Sequence, residues 1–124
     1  MRVRSWMSPD PVSTAPGALV AEAGRVMHTY GIRHLPVVLH GRVVGMLSDR
    51  DVRGALPGRS VADVMSAPAH VVGADDTIEA ASRLMLSRHI SALPVVDVDQ
   101  QLLGMITTTD CLLASLTPLE TPAT

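Results

Sequence analysis

Leu35-Pro36-Val37-Val38 returns, residue for residue, as Leu93-Pro94-Val95-Val96, and that return decides the fold. The offset is 58 residues, and it holds upstream. Met7-Ser8 falls on Met65-Ser66, and Ala23, Arg25, Met27 and Ile32 fall on Ala81, Arg83, Met85 and Ile90. With the Leu-Pro-Val-Val block this makes eight identities in the 19 positions from Val20 to Val38. Downstream the offset becomes 59. Gly45-Met46 then meets Gly104-Met105, Ser48 meets Thr107 and Asp51 meets Asp110. The extra residue falls where a turn is expected, at His40-Gly41 in one copy and Asp97 to Gln101 in the other, and turns absorb insertions cheaply. The chain is a tandem repeat.

Each copy reads as β-α-β-β-α. An extended stretch opens it, around Pro11 to Ser13 and His70 to Val72. A helix follows, with Val20, Ala23, Val26 and Met27 on one face and Ile78, Ala81, Leu84 and Met85 on the same face of its counterpart. Asp76, three residues before Glu79, is the expected N-terminal cap of the second of these helices. Two short apolar strands follow, Leu35–Leu39 with Arg42–Leu47 and Leu93–Val96 with Leu102–Ile106. A closing helix starts at Ser48 or Thr107. Pro57-Gly58 breaks the chain, and Ser60 to Met65 reads as a short helical lead-in. The expected division is residues 4–57, residues 58–118, and a frayed tail, residues 119–124. About 55 residues is marginal for independent folding. The expected fold class is therefore α+β, with two repeats stacked about a pseudo-twofold axis and sharing one core.

Composition narrows the function. Of 124 residues 47% are hydrophobic and 18% charged, with no Phe, one Trp and one Tyr. That is a globular balance with an aliphatic core. The net charge of −2 and the absence of a basic stripe or aromatic platform argue against nucleic acid. A lone cysteine, Cys111, forms no internal disulfide and suits a reducing, cytoplasmic setting. Met1 to Pro11 has no apolar stretch of signal-peptide type, and the longest apolar runs are too short to insert in a membrane. Cys111 has no base beside it in sequence and reads as a small buried thiol. The five histidines, His28, His34, His40, His70 and His89, lack metal-ligand spacing. No nucleophile elbow, Walker A or dinucleotide fingerprint occurs. The expectation is a non-enzyme with no metal.

The informative pattern is the strand-to-helix corner, Gly45-Met46-Leu47-Ser48-Asp49-Arg50-Asp51 and Gly104-Met105-Ile106-Thr107-Thr108-Thr109-Asp110. Both fit Gly-φ-φ-(Ser/Thr)-x-x-Asp, where φ is apolar. A hydroxyl three residues before a carboxylate at a helix start is a capping box, and capping alone accounts for a single instance. The same groups suit a ligand. The hydroxyl can donate to a phosphate, the carboxylate can accept from ribose hydroxyls, and the helix start favours an anion.

The Met-Ser opening, the Leu-Pro-Val-Val strand and this corner, in order and twice over, resemble a tandem pair of cystathionine-β-synthase (CBS) domains. The resemblance covers roughly residues 4 to 116. It implies stacked repeats with clefts between them and a homodimer. It also implies a regulatory ligand containing adenosine, such as AMP, ADP, ATP or S-adenosylmethionine, read out by a partner protein. No required cofactor is implied. Each cleft is expected to be composite. Ser48 and Asp51 would face His70, Val71 and Val72 and the segment Ser91-Ala92. Thr107 and Asp110 would face Val12-Ser13 and Arg33-His34. Because Arg33 and His34 supply cations and Ser91-Ala92 does not, the Thr107–Asp110 cleft is expected to be the better nucleotide site. With no catalytic stretch in these residues, the target is expected to be another protein. The alternative is a structural dimer with vestigial, ligand-free clefts.

Overall fold

A computed structural model describes residues 1–118 of the chain. The expected frayed tail, residues 119–124, lies outside the described residues. A 3-10 turn (Val3–Ser5) and strand β1 (Ser8–Pro9) open the chain. The first copy continues with α1 (Val20–Tyr30), β2 (His34–Leu39), β3 (Arg42–Ser48) and α2 (Asp49–Gly54). A short helix α3 (Val61–Val64) leads to β4 (Val72–Gly73), α4 (Ile78–Arg88), β5 (Ala92–Val96), β6 (Leu102–Thr107) and α5 (Thr108–Leu116).

The apolar spacing of the two long helices does what it predicts. Val20, Ala23 and Met27 of α1 and Ile78, Ala81 and Met85 of α4 are buried, while Val26 and Leu84 pack partly buried beside them. Burying a valine, isoleucine or methionine side chain of this kind is worth about 1.5–3 kcal/mol. The cap of α4 differs from the expected one. Thr77 is the N-cap, its Oγ1 accepting from the Ala80 N–H at 3.0 Å. Asp76 is drawn back instead, its Oδ2 accepting from the Gly73 N–H at 2.7 Å. Glu79 is left to pair with Arg83 at 2.8 Å.

The sheets repeat one register. Thr14 pairs in parallel with Val37, and 58 residues on Val72 pairs with Val95. The hairpins β2–β3 and β5–β6 are antiparallel and slip register at the same place, between Val37 and Val38 and between Val95 and Val96. The first hairpin closes through His40 (φ 52) and Gly41 (φ 80), the paired positive φ of a tight turn. The second uses a longer loop, in which Asp97 Oδ1 accepts from the N–H groups of Asp99 and Gln101 at 2.8 and 3.0 Å.

The two copies exchange their opening segments. Val3 belongs to the first copy but sits in the core of the second, with Ile78, Met85, Leu93 and Ile106. Val61 lies in the core of the first, with Met27, Leu35 and Leu47. The backbone repeats the exchange: the Val3 N–H donates to the Asp76 carbonyl at 2.9 Å, and the Val61 N–H to the Ala18 carbonyl at 2.8 Å. Ser8 pairs with Met105 and Ser66 with Met46. The crossing explains the motif glycines. A Cβ on Gly104 would stand 2.7 Å from the Ser8 carbonyl oxygen, and one on Gly45 would stand 2.9 Å from that of Ser66. Only glycine lets the partner copy's backbone lie this close.

Candidate functional site

Both corners form the capping boxes their spacing predicts. Ser48 Oγ accepts from the Asp51 N–H at 3.1 Å, and Asp51 Oδ2 accepts from the Ser48 N–H at 2.9 Å. At the second corner the distances are 3.3 and 2.9 Å, and the Thr107 hydroxyl also donates to Asp110 Oδ2 at 3.0 Å. The hydroxyls and carboxylates thus start the helices. All four residues remain only part-buried.

A cleft of about 970 Å³ opens beside the first corner. Ser48, Asp49, Arg50 and Asp51 form one wall. Arg33, just before β2, and His34, its first residue, stand beside them. The second copy supplies the opposite side: Ser66 to His70, carried across by the exchanged segment, and His89 to Ala92 between α4 and β5. At the seam His34 Nε2 lies 3.3 Å from Ser91 Oγ. Burial, chiefly, holds the His34 pKa below its ordinary 6.5. Asp49 and Asp51 pull it up, and Arg33 pushes it down. The ring therefore favours its neutral form in the free protein.

The structure distributes the expected site residues differently. Ser48, Asp51, His70 and Ser91-Ala92 line one cleft, and Arg33 and His34 line it with them, whereas Thr107 and Asp110 are not among its walls. Hairpin register is the reason: His34 pairs with Ser48 across β2 and β3, and the Asp49 N–H donates to the Arg33 carbonyl at 2.8 Å. Both residues are tied to their own corner. Val71 and Val72 lie on a separate cavity with Arg4 and Asp75, and Val72 is buried. Val12 packs on the core of the first copy, and Ser13 is exposed. Sequence reasoning missed the wall from Ser66 to Ala69. The Met-Ser pairs signalled it, had they been read as lying over the other copy's glycine strand. Among the described residues no group of three or more His, Cys, Asp and Glu side chains is placed to hold a metal ion. Nor is any of their helices long and apolar enough to cross a membrane.

Comparison with known proteins agrees with this architecture. The family model for the CBS domain matches twice, at residues 3–58 and 61–117, so the chain belongs to the CBS-domain family and carries a tandem pair. It is 33% identical to an inosine-5′-monophosphate dehydrogenase of Korarchaeum cryptofilum over 97% of its own length, and spans about 25% of that relative. Among solved structures it is similar to CBSX2 in complex with AMP, at 27% identity and a TM-score of 0.83, with 93% of this chain and 96% of that one covered. It is also similar to the cytosolic domain of the Mg²⁺ channel MgtE in complex with ATP. There the identity is 32% and the TM-score 0.84, over 91% of this chain and 48% of that one.

Proposed function

We propose that this CBS pair is a regulatory module that binds an adenosine-containing nucleotide and passes its occupancy to a partner protein, with no catalysis of its own. The observation that carries the reading is the composite cleft. It draws walls from both copies and gathers Ser48 and Asp51 with Arg33 and His34. In this reading Asp51 accepts from ribose hydroxyls, Ser48 meets phosphate, and Arg33 neutralises it. Because the walls come from both copies, occupancy biases how the copies sit against each other, which is what a partner would sense. Thr107 and Asp110 repeat the capping chemistry of the first corner without Arg33 and His34 beside them, and in this reading they hold a ligand less well. The similarity to proteins solved with AMP and with ATP supports the ligand class, and S-adenosylmethionine remains a candidate ligand. We further propose a cytoplasmic setting, which suits the free Cys111 thiol, and a homodimer, because the faces of α4 and α5 leave Leu86, Leu112, Leu113 and Leu116 exposed. Apolar surface of this kind favours self-association.

The capping boxes by themselves favour a different role, a structural dimer without ligand, since their polar groups are already bonded. One experiment separates the two. A thermal-shift panel of AMP, ADP, ATP and S-adenosylmethionine is run on a sample whose mass is fixed by light scattering. Twice the chain mass and a rise of roughly 10 °C at about 100 times Kd are expected for the sensor. A dimer that no ligand shifts is the structural protein.

A further inference from the structure

Three of the five histidines, His34, His70 and His89, stand far apart in sequence yet line the same cleft, together with Arg33 and Arg50. One of them occupies a position that costs conformational energy. His89 ends α4 at φ 53, in the left-handed region. Its counterpart 58 residues earlier is Gly31, which ends α1 at φ 63. Glycine takes this conformation freely, and a residue with a Cβ does not. The second copy accepts that cost, and the side chain it gains lies on the cleft wall.

The charges facing these rings are few. Asp49, Arg50 and Asp51 come from the first turn of α2, and Arg33 from the connection just before β2. Asp49 leans toward Arg53, at 3.7 Å, and Asp51 is engaged by the Ser48 N–H. The cationic and protonatable groups come from four separate segments around one cleft. A chain of two or three phosphates brings more negative charge and more acceptor oxygens for such a set to match than a single phosphate does.

Building on the nucleotide reading of this cleft, we propose that it selects a nucleoside polyphosphate, of ADP or ATP type, over a nucleoside monophosphate or a sulfonium cation, and that its histidines take up protons as the polyanion binds. An anion set among imidazoles favours their charged form. His34 has a proton to gain, since burial holds it neutral in the free protein.

The test is calorimetry with ATP, ADP, AMP and S-adenosylmethionine at pH 7.0 and 8.5, in two buffers of different ionisation heat. ATP is expected to bind tighter than AMP, with net proton uptake at pH 7.0. Its affinity should rise on going from pH 8.5 to 7.0, because proton uptake on binding ties tighter binding to lower pH. His89→Gly puts back the residue the first copy uses, so its melting temperature should not fall, while it weakens ATP more than AMP and lowers the uptake. AMP binding as tightly as ATP, or ATP binding without proton uptake, would overturn the proposal and leave the nucleotide reading standing. No heat with any of the four ligands would overturn the nucleotide reading itself.

Discussion

His34 sits where the two copies meet, and its environment sets a sign that can be measured. Its pKa in the folded chain is lowered from 6.5, mainly by burial. The unfolded chain therefore binds this proton more readily. The stability tied to the neutral ring is present above about pH 6.5 and is lost as the pH falls from there toward the lowered native value. Thermal melts of the free protein and of His34→Gln from pH 8 to 5 check this. The melting temperature of the wild type should drop relative to the variant as acid is added, because glutamine has no proton to gain. Parallel curves would mean that the ring stays solvated. His34 also shows where reading by sequence fails. Its type and its place before Leu-Pro were legible, and so was its value for an anion. Which corner it serves was not, because that is fixed by the pairing of His34 with Ser48 across the hairpin, a contact between residues 14 apart.

At the scale of elements the two motif glycines state the packing rule most sharply. Gly104 lies under the Met7-Ser8 backbone of the other copy, and an added Cβ would stand 2.6 Å from Met7 Sδ as well as close to the Ser8 carbonyl. The methionine can turn aside, but the backbone cannot move without breaking the pairing of Ser8 with Met105. Gly104→Ala is expected to cost about 1–3 kcal/mol as overpacking, read as a lower midpoint in urea with an unchanged slope. An unchanged midpoint would mean that the crossing segment is loosely held. The strands and the long helices were legible because their periodicity is local. Val20, Ala23 and Met27 declare a helix face wherever that helix packs. The exchange of opening segments was not legible, for a physical reason: a repeat puts the same residue at equivalent places. Val3 and Val61 are both valine, and either would fill either core.

At the scale of the molecule the exchange joins two marginal halves into one folding unit, and it also builds the cleft. The segment from Ser66 to His70 can wall the Ser48–Asp51 corner only because the second copy's lead-in crosses onto the first copy's sheet. Duplication therefore yields two corners of similar chemistry, while the sequence differences between copies make them unequal. Arg33 and His34 stand at the first corner, where Ser91 and Ala92 stand at the second. The central claim is that the first corner is the nucleotide site, and titration calorimetry of ADP into wild type, Asp51→Asn and Asp110→Asn tests it most directly. Asparagine keeps an acceptor for the capping N–H and removes only the charge. Asp51→Asn is predicted to weaken ADP by about tenfold or more, the worth of a hydrogen bond to a charged group, with Asp110→Asn close to wild type. Equal losses in the two variants, a larger loss in Asp110→Asn, or no heat from the wild type would contradict it.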